Sequence, residues 1–266
     1  MCKRFLIVNA DDYGFSDGTV EATIECFKRH VISSATMMPN MPGFEKASEF
    51  AVNHPEFSYG LHLCLTDERP LSKPGQIRSL VNTSGLLWPT REFWRRAFLG
   101  RLSRDDIVKE MEAQISRIRT AGIKLSHIDG HGHVHTAPCV HSVLPRMLRK
   151  HAIPAMRRTQ NLFYGKPRLV KRLHNILGGL FVSSDTKTTD YFLMVAGELG
   201  QDDDTWWSQS IRTLPTGITE IGIHPGLNEE WRRLESLPVL EDGGRSLRDE
   251  GVQLVNYNYL SPDFQP

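Results

Sequence analysis

The sequence predicts an α/β protein folded as a single TIM-like (β/α) barrel that need not be regular, with an inserted loop after the third strand. Short apolar runs alternate with segments of helical periodicity, which is typical of a parallel sheet covered by helices. The chain of 266 residues has room for seven or eight strand-helix units in one domain, 1–266. Several predicted strands end in Asp or His, and the C-terminal strand ends of such barrels carry the chemistry.

The apolar runs define the predicted strands. The first run ends where Asp11 and Asp12 interrupt it, and the third contains His62. In chain order, the predicted strands are Arg4–Ala10, Ile32–Met38, Tyr59–Thr66, Lys124–Asp129, Ile153–Arg158, Tyr191–Val195, Ile218–His224 and Val252–Tyr257. The segment Asn161–Asp185 fits either a helix or a loop.

Capping residues and apolar spacing define the helices. Ser16 or Asp17 caps the first helix, and Ser103 opens another with Asp106 in a capping-box pattern. The predicted helices are Ser16–His30, Phe44–Val52, Ser103–Gly122, Val140–His151 and Asp204–Leu214, the last with Trp206 and Trp207 as packing residues. The segment Asp67–Arg101 is rich in Pro and Gly, which predicts an inserted loop, and long loops of this kind often form lids.

The composition excludes several classes of partner. A formal net charge of +1 and the lack of a dense Lys/Arg block argue against a nucleic-acid or membrane partner, so pairs such as Arg95-Arg96 and Arg232-Arg233 are interpreted as solvated helix faces. The four cysteines are scattered without a C-x-x-C pair, which favours a reducing compartment. No signal-peptide core or membrane span is recognisable. We therefore expect a cytoplasmic protein, and a homodimer remains open.

The stretch HIDGHGHVH, residues 127–135, contains four histidines and one aspartate among small or apolar residues. Its simplest interpretation is a polar loop that leads into a helix. However, imidazole and carboxylate groups are ligands for zinc and other divalent ions. Within this stretch His131 is the best candidate ligand, while His127 and Asp129 are better suited to orienting a ligand through hydrogen bonds.

Asp11 and Asp12 are neighbours at the end of a strand, where side chains of consecutive residues point to opposite faces. They therefore cannot flank a glycosidic bond as a symmetric pair. One carboxylate could bind a metal ion while the other accepts a proton from water as a general base. Alternatively, Asp12 only caps the turn before Gly14.

Four motifs resemble those of the YdjC-like carbohydrate deacetylases, the ChbG/HpnK group. They are RFLIVNADDYGFS, GLHLCLT, SHIDGHGHVH and IGIHPG, and they occur in the family's order over nearly the whole chain. The resemblance implies a TIM-like barrel, one divalent metal ion, with magnesium or zinc both open, and hydrolysis of an N-acetyl group from an amino sugar.

The same resemblance implies a role for individual residues. Asp12, His62 and His131 would be the metal ligands, Asp11 the general base and His224 the general acid. Two positions depart from the family pattern: Cys64 stands where Asn is common, and Gly132 where many members have His. Further candidates for orienting groups or sugar contacts are His127, Asp129, His133, Arg157, Arg158 and the aromatic residues Tyr13, Trp88, Trp94 and Phe163, each of which has a simpler interpretation as a packing residue.

Two other functions stay open at this stage. A metal-dependent phosphoesterase would use similar ligands, but the sequence has no Gly-rich phosphate-binding loop. A non-catalytic sugar-binding or metal-binding barrel would be expected to lack the base or the acid, yet Asp11 and His224 are both present. The acetylated substrate, whether a chitooligosaccharide or a glycolipid headgroup, is not specified by the sequence.

Overall fold

The computed structural model describes residues 3–164, 186–195, 199 and 204–261, and in this part of the chain eight strands form one parallel sheet. The strands are β1 Arg4–Tyr13, β2 Ser34–Met37, β3 Ser58–Leu63, β4 Leu125–Gly130, β5 Ala155–Met156, β6 Tyr191–Met194, β7 Gly217–Ile223 and β8 Val252–Leu254. Their order is β5-β4-β3-β2-β1-β7-β6, and β8 pairs with the start of β1. The prediction of an α/β fold with a barrel-like parallel sheet is confirmed.

The barrel is irregular where β5 and β6 face each other. The strand β5 has only two residues, and a single bridge joins Ala155 to Lys187. The backbone N–H groups of Asn161 and Leu162 donate to the carbonyl of Phe192 at 3.3 and 3.0 Å. The strand predicted at 153–158 is thus shorter than expected. It begins only after Pro154, which has no backbone N–H to donate.

The helices of the described residues surround the sheet. Their bounds are Asp17–Lys28, Phe44–Asn53, Thr90–Phe98, Arg104–Thr120, Pro138–His141, Leu144–Lys150, Trp206–Arg212 and Glu230–Asp249. Ser16 caps the first helix through a capping box with Thr19, and the Ser103 hydroxyl accepts the backbone N–H of Asp106. Both predicted N-caps are thus confirmed.

Three helical segments differ from the prediction. The single helix expected at 140–151 is two helices, because Pro145 cannot donate to the carbonyl one turn earlier and instead lies in the first turn of the second helix. The predicted loop 67–101 contains the helix Thr90–Phe98, which buries Phe93 and Ala97. The helix Glu230–Asp249 is missing from the predicted elements, although the pair Arg232-Arg233 within it is interpreted as a helix face.

Other expectations have mixed outcomes. Trp206 and Trp207 are fully buried, which confirms their interpretation as packing residues. The predicted final strand ends at Leu254, because the Asn256 side chain caps a short 3-10 helix, Tyr257–Leu260. Within 161–185, residues 161–164 form no helix or strand and the remainder lies outside the described residues. Among the described helices, none combines the length and the hydropathy needed to cross a membrane.

Candidate metal and catalytic site

Three of the predicted ligands converge at the C-terminal ends of β1, β3 and β4. Asp12 Oδ1 lies 2.9 Å from His131 Nδ1 and 3.2 Å from His62 Nε2. The three donor atoms all lie within 4.8 Å of one another. One carboxylate and two imidazoles converging on a point match the donor set of a divalent metal site with room for further ligands. The arrangement therefore fits a divalent ion.

The backbone of β1 brings Asp12 into this site. The pairing of β1 with β2 shifts register between Ala10 and Tyr13, and Asp12 has a φ of 57°. This left-handed conformation is uncommon for residues other than Gly, although Asp adopts it more readily than most. The resulting irregularity lets Asp11 and Asp12 both reach the interior, where a regular strand would have placed them on opposite faces.

Asp129 orients His62. Asp129 Oδ1 lies 2.7 Å from His62 Nδ1, and the hydroxyl of Thr36 donates to Asp129 Oδ2 at 3.0 Å. Burial opposes the charged form of His62, but Asp129 and Asp12 raise its pKa to about 10. A site that favours a proton so strongly also favours a metal cation, provided that the proton is displaced. With Nδ1 bound to Asp129, the remaining nitrogen of His62 faces Asp12.

Asp11 is held by a buried arginine. Arg157 Nη1 and Nη2 donate to the two oxygens of Asp11 at 2.6 and 2.7 Å, and the Asn9 amide donates to Oδ1 at 2.8 Å. Burial alone would raise the pKa of Asp11, but the Arg157 guanidinium holds it well below its usual range. Asp11 is therefore an ionised carboxylate with a fixed orientation. Its Oδ2 lies 4.0 Å from His224 Nε2.

Arg157 is the centre of an ionic cluster. Besides Asp11, it contacts Asp129 Oδ2 at 2.7 Å and Glu220 Oε1 at 2.8 Å, and the hydroxyl of Tyr257 donates to Glu220 Oε2. Three buried carboxylates share this guanidinium, and burial raises the pKa of Glu220 to about 7. Arg157 is fully buried, a placement that suits the orienting role among its two predicted alternatives rather than a sugar contact.

His224 is held by a residue that the sequence did not predict. Glu235 Oε2 lies 3.0 Å from His224 Nδ1 and accepts the His224 backbone N–H at 2.9 Å. Burial opposes the charged form of His224, but Glu235 raises its pKa above the ordinary value. His224 therefore favours the protonated form more than a free histidine does, with Nε2 directed towards Asp11.

Arg232 also enters the site, although the sequence suggested a solvated helix face. The side chain is 5% exposed, and its Nη2 donates to Asp12 Oδ2 at 2.8 Å. Its guanidinium carbon lies 5.6 Å from the Phe15 ring centroid and 4.5 Å from that of Trp231. The earlier interpretation of Arg232 is wrong, because the helix Glu230–Asp249 turns this residue inward.

The structure places the remaining histidine candidates away from the convergence of Asp12 and its partners. His127 is buried, with its ring stacked 3.5 Å from Tyr257 and its Nδ1 2.9 Å from the Ser126 hydroxyl. His133 has a φ of 57° on the turn after β4, and its ring lies 6.5 Å from Phe192. Among the described residues two groups could hold an ion, Asp12 with His62 and His131, and Asp11 with His62 and Asp129, and neither His127 nor His133 belongs to them.

Several proposed sugar contacts are packing residues. Tyr13 is fully buried and its hydroxyl donates to the Ala47 carbonyl, which favours its simpler interpretation as a packing residue. Trp88 donates to the Ser79 carbonyl and carries the Arg96 guanidinium over its ring at 3.7 Å. Cys64 is buried, which matches its interpretation as a small packing residue.

Arg158 and Phe163 are the remaining candidates for sugar contacts. Arg158 donates to the backbone carbonyl of Thr189 at 3.0 Å, so its guanidinium is engaged by the main chain rather than by the Asp12 group. Phe163 follows the short β5 in the described stretch that ends at residue 164, before 165–185.

Comparisons with known proteins agree with this architecture. The family described as YdjC-like protein matches residues 5–256. A carbohydrate deacetylase from Geobacillus stearothermophilus is 33% identical over 258 residues, which cover 96% of this chain and 97% of that protein. A chitooligosaccharide deacetylase from Serratia marcescens is 38% identical over 153 residues, covering 57% of this chain and 58% of that protein.

One solved structure shares the fold over the whole chain. It is the crystal structure of a proposed cellobiose-phosphate cleavage protein from Enterococcus faecalis V583, with a TM-score of 0.79 and 24% identity. The match covers 97% of this chain and 99% of the other. This similarity shows the fold, whereas the family match over residues 5–256 and the relative that is 33% identical over 96% of this chain show the family: the chain belongs to the YdjC-like family.

Proposed function

We propose that this protein is a metal-dependent carbohydrate N-deacetylase, which hydrolyses the N-acetyl group of an amino sugar and releases acetate. The observation that carries the proposal is the convergence of Asp12, His62 and His131 beside an ionised Asp11 and a His224 with raised pKa. Two relatives have names that point to the same reaction: the carbohydrate deacetylase aligned over nearly its full length and the chitooligosaccharide deacetylase aligned over part of it.

Asp12, His62 and His131 would hold the metal ion. When bound, a divalent ion supplies Lewis-acid chemistry, because it polarises the amide carbonyl and lowers the pKa of water. The mixture of one carboxylate and two imidazoles suits zinc, and magnesium stays open because it is also bound by carboxylates. Asp129 keeps His62 in the required orientation through its contact with Nδ1.

Asp11 and His224 would share the proton transfers. Asp11 accepts a proton from the attacking water, whose oxygen forms the new bond to the acetyl carbon. His224 donates its proton to the nitrogen of the sugar as the C–N bond breaks, so that the products are acetate and the free amine. Arg157 fixes Asp11, and Glu235 orients His224 and raises its pKa.

The segment 67–101 is proposed to form part of the wall or lid above this site. Asp67 follows the third strand, and its carboxylate accepts the backbone N–H and the hydroxyl of Thr90. Thr90 in turn packs on the turn after β4, where its methyl group would lie 3.5 Å from a Cβ at Gly132. Gly132, with a φ of 57°, stands next to the proposed ligand His131.

The test is acetate release from a panel of N-acetylated sugars and oligosaccharides. The protein is treated with a chelator and then assayed with zinc, magnesium, manganese or cobalt, with the chelated protein as control. We expect acetate only after a metal is returned. Phosphate release from sugar phosphates is measured in parallel, and phosphate without acetate would overturn the proposal in favour of a phosphoesterase. Binding of sugars without release of either product would indicate a non-catalytic barrel.

A further inference from the structure

One large aromatic side chain is exposed next to the proposed catalytic residues. Trp231 is 43% exposed, and its ring centroid lies 5.3 Å from that of His224. The two other tryptophans in the C-terminal half of the sequence, Trp206 and Trp207, are fully buried. An indole held at the surface beside a reactive site is suited to binding a ligand that offers an apolar face.

The orientation of Trp231 is fixed by the ionic network. The Arg232 guanidinium lies over its ring, and Arg232 is itself bound to Asp12. His224, whose ring is tilted by 59° against the indole, is held by Glu235, one turn after Trp231 on the helix Glu230–Asp249. Both neighbours of the indole are thus anchored in the buried site. A ring held in this way loses little conformational freedom when a ligand binds.

We propose that Trp231 is the platform on which the pyranose ring carrying the acetylated nitrogen stacks. A pyranose has C–H groups on one face and hydroxyls at its edges, so it can cover an indole while its hydroxyls stay in water. Stacking beside His224 would bring the nitrogen of that ring close to the group that protonates it. This inference rests on the proposed function, since it specifies how the amino sugar binds at the same site.

Two substitutions at this position test the stacking. Trp231→Ala removes the ring, and we expect KM for an N-acetylated oligosaccharide to rise about 10-fold, equivalent to about 1.4 kcal/mol, while kcat changes by less than about 3-fold. Trp231→Phe keeps an aromatic face, so its KM should stay within about 3-fold of the wild-type value. The matched control is Leu237→Ala, which removes an apolar side chain of 44% exposure from the same helix and should leave both constants unchanged.

A binding measurement separates stacking from support of His224. The Asp11→Asn protein, expected to be inactive, is titrated with the N-acetylated oligosaccharide while tryptophan fluorescence is followed. The fluorescence change should disappear, and the affinity should fall about 10-fold, when Trp231→Ala is added. A Trp231→Ala protein with unchanged KM and affinity, or with a reduced kcat alone, would overturn the platform. If the wild-type protein releases no acetate from any sugar, the proposed function fails instead.

Discussion

The contact between Arg232 and Asp12 predicts that Arg232→Met destabilises the metal-free protein far more than an ordinary surface substitution. Nη2 and Oδ2 are 2.8 Å apart, and the two side chains are 5% and 2% exposed. Removing one partner of such a buried pair typically costs about 3–5 kcal/mol, because the other charge loses its ion-pair partner. At about 2 °C per kcal/mol for a chain of this length, the melting temperature should fall by about 6–10 °C.

The loss of stability in Arg232→Met should depend on whether a metal ion is bound. His62 and His131 already contact Asp12, and an added divalent cation would compensate its charge further. We therefore expect the stability difference between Arg232→Met and wild type to shrink at saturating metal. A loss of equal size with and without metal would mean that Arg232 stabilises the helix Glu230–Asp249 rather than the charge of Asp12.

The assay is a double-mutant cycle on the chelated protein. Urea unfolding is measured for wild type, Arg232→Met, Asp12→Asn and the double variant, so that the coupling free energy isolates the pair. The control is Arg233→Met, since Arg233 is the exposed neighbour on the same helix and its loss should change stability by less than about 0.5 kcal/mol. Additive single substitutions, with a coupling below about 0.5 kcal/mol, would refute the reasoning.

Three further predictions concern the reaction and its pH dependence. Asp11→Asn should keep the metal but react about 10²- to 10⁴-fold more slowly, because it lacks the general base. Asp12→Asn and His62→Ala should instead lose metal, as measured by elemental analysis. Full metal occupancy in His62→Ala would contradict the ligand assignment. Asp67→Ala removes the carboxylate that accepts the backbone N–H and the hydroxyl of Thr90, each hydrogen bond being worth about 1 kcal/mol, and should raise KM by up to about 5-fold in the acetate assay. Unchanged kinetics would argue against a lid. The pKa of Glu220 is raised from 4.5 to about 7, so its contribution to stability is complete below pH 4.5 and is lost as the pH rises through 7. Urea unfolding of Glu220→Gln at a series of pH values should not show this loss. Wild-type and variant free energies of unfolding that change with pH in parallel would contradict the prediction.

The apolar runs predict the strands, whereas the resemblance to the YdjC-like family supplies Asp12, His62 and His131 as candidate ligands, whose donor atoms lie together in the structure. Apolar runs of four to eight residues mark buried parallel strands, and polar residues at their ends meet at one edge of the sheet. His62 on the third strand and His131 directly after the fourth strand are therefore close in space. The sequence could not predict which arginines hold the aspartates, because Arg157 and Arg232 pair with residues 146 and 220 positions away.

The missed helix Glu230–Asp249 shows why apolar periodicity fails at this site. Its buried face is largely polar, so the spacing of hydrophobic residues that marks other helices is weak here. The buried residues are Arg232, Glu235, Ser236, Val239, Gly243, Ser246 and Leu247, and Pro238 interrupts the pattern further. A helix that delivers charges to a reactive site looks like a solvated segment when only its hydropathy is considered.

The adjacent carboxylates of Asp11 and Asp12 can take separate roles because each pairs with its own arginine side chain. A regular strand would turn them to opposite faces, but the register shift before Tyr13 and the φ of 57° at Asp12 bring both inside. A non-glycine residue in this conformation typically costs about 1–3 kcal/mol, which the contacts of both Asp12 oxygens can offset. Asp11 is bound by Arg157 and Asp12 by Arg232, so a change at one aspartate leaves the charge partner of the other in place. The loss of rate and the loss of metal should therefore separate cleanly between the two positions.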